Sequence, residues 1–503
     1  MRRYILRVLI VINIIFAAVP FIYGDIVFHT DIARDFLLFE DIAYYKPITF
    51  IGPRSGGISG VFHGPLWLYI NMPAFLLGKG NPAYVGWFWF GLFLLCLYIF
   101  YKISRSLLNE DFSLLGTVLL SGSLSTSIKE LFNPFGAVVL FPVFIYLFIS
   151  YLKNNKWQYL LAVFFTLGLI IQFQMAFGIP VLFLTVLYLM VYLYKKNKLI
   201  HLLSLIILVI PLSTFIIFDL RHDFIQSRSV LDYLRRPESQ SKIVLLPFLI
   251  TRFKGFYLEG INFLKHKYWF IALITSSFTL WFSYVFYRKN RTGNLLYGLF
   301  LYFYVGFWII TLLFKGTIWG YYYWPFLPFT IIVFCSLLNK VKNQAAIYLA
   351  VLIVALSLYG NFKAVKETVN NVGKDGSSWK FNLLMIEKIF NSGNNEFGYY
   401  IFSPDLFGYS QQYAFNYLKL KYPNIKAVSF EKRPLTYLVY VPPPSDRLYL
   451  DGRWWKDKQV RINKQPATAV KYPNGFRVEK YILNNKDIDV PSDQNLIKDI
   501  YFR

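Results

Sequence analysis

Apolar residues in this chain gather into runs of about 20, the length a helix needs to cross a hydrocarbon core of roughly 30 Å. The runs predict transmembrane helices over Tyr4–Ile22, Pro82–Tyr101, Phe112–Ile128, Pro134–Tyr151, Trp157–Gln174, Phe177–Tyr194, Leu199–Phe218, Tyr268–Tyr287, Leu295–Phe314, Tyr321–Leu338 and Ala345–Tyr359, eleven in all. The first run follows Arg2 and Arg3 and lacks an A-x-A-like cleavage site, so it reads as an uncleaved helix rather than a signal peptide. Alternate short connections carry Lys102 and Arg105, KNNK at 153–156, KKNK at 195–198, RKNR at 288–291 and NKVK at 339–342. Basic short turns belong on the cytoplasmic side, which places the N-terminus there as well. Counting the two-proline segment His63–Gly78 as a twelfth span would put every later basic turn outside, so that segment reads as interfacial or re-entrant.

Two long stretches, 23–81 and 219–267, then become outer loops, and their length suggests function rather than simple connection. After residue 360 the chain turns polar, with strand-like GYYIFS, TYLVYV and FRVEKYIL and a helix-like DLFGYSQQYAFNYLKL. The expected organisation is a polytopic α-helical transmembrane domain over 1–360 and a small extracytoplasmic α/β domain over 361–503. That second part holds 22 Lys/Arg against 14 Asp/Glu, basic but mixed.

Composition agrees with the pattern and narrows the class. Of 503 residues 56% are hydrophobic and only 16% charged, against about 25% charged in soluble domains. A cytosolic enzyme, a secreted disulfide scaffold and a disordered chain are excluded. Cys96 and Cys335 both sit inside apolar runs and imply no disulfide framework. A net charge of +25 would suit nucleic acid, but much of the excess lies in the inner turns, so no nucleic-acid partner is expected.

Charges on the outer side are therefore the informative ones. In FHTDIARDFLLFEDIAYY, Asp31, Arg34, Asp35 and Leu38 recur at helical spacing, which puts two carboxylates and a guanidinium on one face at the membrane surface. The glycine-rich RSGGISGVFHGPL adds Arg54 and His63. Lys129 before Asn133-Pro134, Arg221 and His222 in FDLRHDF, and Lys315 before WGYYYWPFLPF also lie near the outer interface. Each alone suits a headgroup anchor; together they form a cationic set around the acidic loop, which suits a lipid-linked phosphate.

TDIARDF after the first span, GVFHGPLWLYI before the second, FNPFG at the fourth, FDLRHDF after the seventh and YYYWPFLPF near the last occur in an order that resembles the C-type (GT-C) membrane glycosyltransferases. This is the superfamily of protein O-mannosyltransferases and lipid A aminoarabinose transferases, with their bacterial family 39-like relatives. The resemblance covers roughly residues 1–360. It implies an integral inner- or plasma-membrane enzyme that moves a sugar from a polyprenyl-phosphate donor to a lipid, glycan or protein acceptor on the outer face, with inversion. Carried over by position, Asp31 would be the general base or the group that orients the acceptor hydroxyl. Arg34, Lys129, Arg221, His222 and Lys315 would neutralise the donor phosphate, with Arg54 and His63 as further candidates. The common pattern has two adjacent acidic residues, whereas here Ile32 takes the second place and Asp35 follows one turn later. That departure leaves open both a divalent metal site and whether Asp31 alone carries the role.

Other classes fit less well. A transporter or flippase of lipid-linked sugar would place ionisable groups at the bilayer midplane and often shows repeats; the spans here hold almost no charges and no repeat stands out. A polysaccharide ligase or polymerase would keep its catalytic groups in a large late outer loop, whereas the acidic helix here lies in the first. Walker-type, H-E-x-x-H and paired-Cys motifs are absent from the sequence.

Overall fold

The computed structural model describes residues 2–235, 244–260, 263, 268–290, 293–314, 316–341, 343–393 and 395–496. Its helices are α1 (Arg2–Ile22), α2 (Thr30–Tyr44), α3 (Leu66–Leu77), α4 (Pro82–Leu107), α5 (Glu110–Leu124), α6 (Pro134–Asn154), α7 (Trp157–Phe173), α8 (Met175–Lys196), α9 (Val209–Arg221), α10 (Ile225–Arg235), α11 (Leu245–Lys254), α12 (Trp269–Lys289), α13 (Leu295–Leu313), α14 (Phe326–Val341), α15 (Gln344–Asn370), α16 (Trp379–Phe390), α17 (Tyr409–Lys421) and α18 (Asn485–Asp489). Strands are β1 (Glu396–Phe402), β2 (Lys426–Ser429), β3 (Leu435–Tyr440), β4 (Thr468–Lys471) and β5 (Arg477–Ile482).

Every apolar run of the sequence becomes a helix, and among the described residues eight helices are long and apolar enough to cross a membrane. The seventh run begins as a 3₁₀ turn over Leu199–Leu208 and continues as α9. Helices α5, α7 and α14, with 15, 17 and 16 residues, are shorter than a full span. The two-proline segment forms α3, of 12 residues, again too short to cross. Local chemistry sets the helix starts: Asn81 and Asn343 accept from the backbone two residues on, Asn109 from the residue three on, and Pro82 and Pro134 stand in the first turn.

One end of the bundle collects the basic turns. There Arg3 pairs with Glu110 and Asp111, Asn109 meets Asn339, and Lys340 reaches Asn294. Between the ends, the interior is largely aromatic. Phe141 stands edge-on to Phe177, Phe326 and Phe329, and Phe144 and Phe148 both pack on Phe303. Such pairs add about 0.5–1.5 kcal/mol each beyond area burial, which gives the high aromatic content a packing role.

The opposite end carries α2, α3, α10, α11 and the sheet domain. The sheet runs β2-β1-β3-β5-β4, with β1 parallel to both neighbours and β5 antiparallel to β3 and β4. Central β1 is buried on both faces and reads FGYYI without alternation, as expected for a covered parallel strand. Helices α16 and α17 pack together on one side, while Tyr400, Leu438, Tyr440, Trp455 and Tyr481 form a second small core.

Residues 25–30 bind the sheet domain to the bundle. Val27 donates its N–H to the Lys129 carbonyl (2.9 Å), Phe28 to Ser377 (2.6 Å), and Trp379 returns one to Ile26 (3.0 Å). Asp25 accepts from the Lys380 N–H at 3.0 Å, and the Tyr413 hydroxyl donates to the Gly80 carbonyl. Phe28 sits among Phe36, Trp379 and Tyr413.

Candidate active site

Helix α2 begins at this junction. His29 Nδ1 accepts the Asp31 N–H at 3.2 Å, doing the capping work usually given to Ser or Asp. Ile32, Ala33, Phe36, Leu37, Leu38 and Phe39 are all buried, so apolar packing on most of its girth fixes the helix. Asp31 in the first turn also meets the positive end of the helix dipole.

The three charged residues of that turn are brought together, but unequally. Arg34 Nη1 donates to Asp31 Oδ1 at 2.8 Å, while Nε and Nη2 both donate to Asp35 Oδ1, at 3.2 and 3.0 Å. Side-chain exposure falls from 47% at Asp31 to 14% at Arg34 and 3% at Asp35. Asp31 is thus the solvent-accessible carboxylate, Arg34 the clamp, and Asp35 the buried anchor. Asp35 Oδ2 is buried without a hydrogen-bond partner. Burial raises the Asp35 carboxyl to about 6, with Arg34 opposing that shift and Asp31 reinforcing it.

This has a measurable consequence. An unfolded Asp loses its proton near about pH 4, whereas the folded one holds it to about 6. Between those values the folded state binds more protons, so stability is expected to fall as pH rises through that window and then level off. Asp35→Asn should remove that slope in thermal unfolding followed from pH 4 to 7; an unchanged slope would show that another group causes it.

The glycine-rich loop approaches this turn from the side. His63 Nδ1 is buried without a partner, and burial, with Arg34 nearby, lowers the ring to about 4, so it is neutral at pH 7. Arg54 is exposed and pairs by backbone with Phe62. Gly64 donates to the Gln172 carbonyl at 3.1 Å, at the break between α7 and α8. A Cβ on Gly64 would overlap the Gln172 carboxamide and come within 2.9 Å of its Cα. Because backbone cannot swing away, Gly64→Ala is expected to cost about 1–3 kcal/mol; an unshifted melting temperature would refute this contact.

The other predicted cations disperse. Lys129 Nζ donates to Thr368 Oγ1 at 3.1 Å, within a cavity of about 340 Å³ that Asp25, Glu130, Glu367 and Asp375 also line. Arg221 lies over the Phe50 ring at 5.7 Å, and exposed His222 stacks on Phe218 at 4.2 Å while bonding its carbonyl at 2.8 Å. Nearby, Asp219 accepts from Gln226 and Ser227, and Gln226 Oε1 accepts from the Phe62 N–H, which ties the start of α10 to the glycine-rich loop. Lys315 lies outside the described residues.

Four residues near this end were not singled out from the sequence. Tyr321 shares its surroundings with Asp31 and Arg34; Tyr409 shares its own with Arg34, Asp405, Arg54 and Asp31. Burial raises the Tyr409 phenol, so it is a neutral hydroxyl at pH 7. The Asp405 carboxylate accepts from Thr30 Oγ1 at 2.8 Å. Arg252 is buried and donates to the carbonyls of Thr311, Phe314 and Gly316, closing the end of α13. Only the run WGYYYW hinted at any of these. Among the described residues, no group of three or more His, Cys, Asp or Glu side chains that could hold a metal ion is assembled, so no step is derived through one.

No protein-family description and no curated protein match this chain. Solved structures do. ArnT from Cupriavidus metallidurans in the apo state aligns with a TM-score of 0.52 at 10% identity, over 93% of this chain and 97% of that one. The same protein bound to undecaprenyl phosphate gives 0.55 at 12% identity, over 94% and 97%. The oligosaccharyltransferase of Archaeoglobus fulgidus, tethered with an acceptor peptide, gives 0.46 at 12% identity, over 97% and 75%. The chain is an integral membrane protein with the fold of these ArnT structures, a likeness of architecture at these identities.

Proposed function

We propose that this protein transfers a sugar from a polyprenyl-phosphate carrier to an acceptor, at the bundle end that carries α2 and the sheet domain. In this reading that end faces away from the cytoplasm, since the basic turns gather at the other. The eleven apolar helices all lie within the membrane layer, α5, α7 and α14 spanning with help from their neighbours. Residues 1–360 supply the transferase domain and 361–503 the extracytoplasmic one.

The observation that carries the reading is the Asp31–Arg34–Asp35 turn: a half-exposed carboxylate held by a guanidinium that is itself anchored on a buried carboxyl. It occurs on the fold of a protein seen bound to undecaprenyl phosphate. Asp31 takes the proton from the acceptor hydroxyl. The acceptor oxygen forms its bond to the sugar's anomeric carbon as the bond from that carbon to the phosphate oxygen breaks. Polyprenyl phosphate leaves with the electron pair, and the configuration inverts. A phosphate is already a fair leaving group, so orientation and charge neutralisation are the main demands. Arg34 donates to both carboxylates and serves chiefly to position Asp31. Arg54, which shares the surroundings of Tyr409 with Arg34, is the cation best placed for the leaving phosphate. Arg221 and His222 are left to meet the carrier further along its path, whereas Lys129 is held by Thr368. No metal is required in this reading.

The test is cleavage of radiolabelled polyprenyl-phosphate sugars by the purified protein in lipid nanodiscs, with a membrane extract as acceptor source. Label moving to acceptor or to water supports transfer. Saturable retention of intact donor without cleavage would replace the enzyme by a carrier of lipid-linked sugar.

A further inference from the structure

The two tyrosines that share the surroundings of Asp31 and Arg34 come from distant parts of the chain, and each bears a second ring lying nearly parallel to it. Trp319 accompanies Tyr321, with 6.4 Å between centroids and 3° between planes. Phe407 accompanies Tyr409, at 5.0 Å and 14°. In both pairs the companion stands out: Trp319 is 52% exposed beside a partly buried Tyr321, and Phe407 45% beside a buried Tyr409. The charged turn therefore has a presented aromatic ring from the bundle and another from the sheet domain.

The first pair is rooted in the membrane part, where Tyr321 and Trp324 both pack on Phe132. The second depends on Asp405. Its Oδ1 accepts from Ser403 Oγ at 2.5 Å and from the Phe407 and Gly408 N–H groups at 3.0 and 3.4 Å, while Oδ2 accepts from Thr30, the first residue of α2. The loop so held is strained: Leu406 has φ +65°, a left-handed conformation that a branched side chain adopts only when its surroundings enforce it. A strained loop that presents an aromatic ring and is clamped to the start of α2 is built for contact rather than for connection.

We infer that Phe407, backed by Tyr409 and positioned by Asp405, forms the acceptor subsite, and that the acceptor brings a sugar ring to it. This rests on the transferase reading above and adds the acceptor's chemical class. A pyranose has a face of C–H groups and a rim of hydroxyls. It covers an aromatic ring with the first and offers the second to a carboxylate and a guanidinium, the two chemistries that meet here. The ring rooted in the bundle, Trp319, falls to the donor sugar, whose carrier lies in the membrane.

The probes are methyl glycosides of common hexoses, hexosamines and pentoses, added to the full-length protein in nanodiscs free of sugar detergents. Saturation-transfer NMR reads contact with the ring protons, and titration gives Kd. At least one glycoside is expected to bind through its C–H face, and Phe407→Ala to weaken it about 2–10-fold, the worth of one aromatic contact. Phe407→Trp should retain binding. Asp405→Ala should weaken it similarly, with Asp405→Asn restoring it, because the amide can still accept the three turn hydrogen bonds. Equal binding by Phe407→Ala and wild type overturns the subsite, as does donor cleavage by a protein that binds no glycoside and glycosylates a peptide or lipid instead. Glycoside binding that depends on Phe407, with no donor cleaved by the wild type, leaves the sugar subsite standing and removes the transferase reading.

Discussion

Asp31→Asn is expected to lower sugar transfer by about 10²–10⁴-fold, the usual worth of one positioned base, while the protein inserts and melts as before. Asp31 is half-exposed and bonded through one oxygen to Arg34. An asparagine keeps the shape and can still accept from the guanidinium, but it cannot take a proton at neutral pH. Capping of α2 survives as well, because the Asp31 backbone rather than its side chain bonds His29. The defect should therefore lie in turnover with little change in the donor's KM, since the carboxylate does not hold the phosphate. Transfer within threefold of wild type by a correctly inserted variant would remove Asp31 from the chemistry and pass the role to Asp35. That group is poorly placed for it, at 3% side-chain exposure.

Arg34→Met should have the largest effect on the fold, about 3–5 kcal/mol of lost stability, typical of breaking one side of a buried ion pair. Both hydrogen bonds to Asp35 Oδ1 would disappear, and its Oδ2 already lacks a partner. The stranded carboxyl can escape part of the cost by keeping its proton, so the loss should grow as pH rises above 6. Arg34→Met with Asp35→Leu should recover most of the stability, because an apolar pair of similar volume leaves no buried charge behind. Unfolding of the single and double variants in nanodiscs decides the matter. A single variant as stable as wild type would mean that water reaches Asp35 and that the turn is not a buried network. Activity should stay low in the double variant, since Asp31 then loses the group that orients it.

The sequence carried the helices far better than the site. Asn and Pro at the helix starts and basic residues at alternate turns are local signals, so the bundle's order could be read directly. So could the face shared by Asp31, Arg34 and Asp35, which depends only on helical spacing. The inequality among them could not. Asp35 lies beside Phe36 in a run whose apolar residues cover nearly the whole girth of α2, and only the docked neighbours decide which carboxylate is covered. Lys129 failed to converge with Arg34 for a similar reason: sequence places it at the correct end of the bundle but not on which side of the strap at residues 25–30 its ammonium lies. Asp405 meets Thr30 across a separation of 375 positions, a pairing with no sequence signal at all. The edge strands KAVS and TAVK were too short to show a pattern, whereas central GYYIFS, TYLVYV and FRVEKYIL announced themselves.

The strap that takes backbone partners from Lys129 on one side and from residues 377–379 on the other also sets a clock. A chain made from its N-terminus folds its early parts first, so most of the bundle can assemble while the residues that clamp the start of α2 do not yet exist. The opening turn of α2 gains Thr30–Asp405 and its neighbours only after more than three hundred further residues have been synthesised. A nascent copy can thereby occupy the bilayer before the opening turn of α2 has its late-made partners. On the transferase reading, competence would follow only once Asp405 and Lys380 have docked against the start of α2.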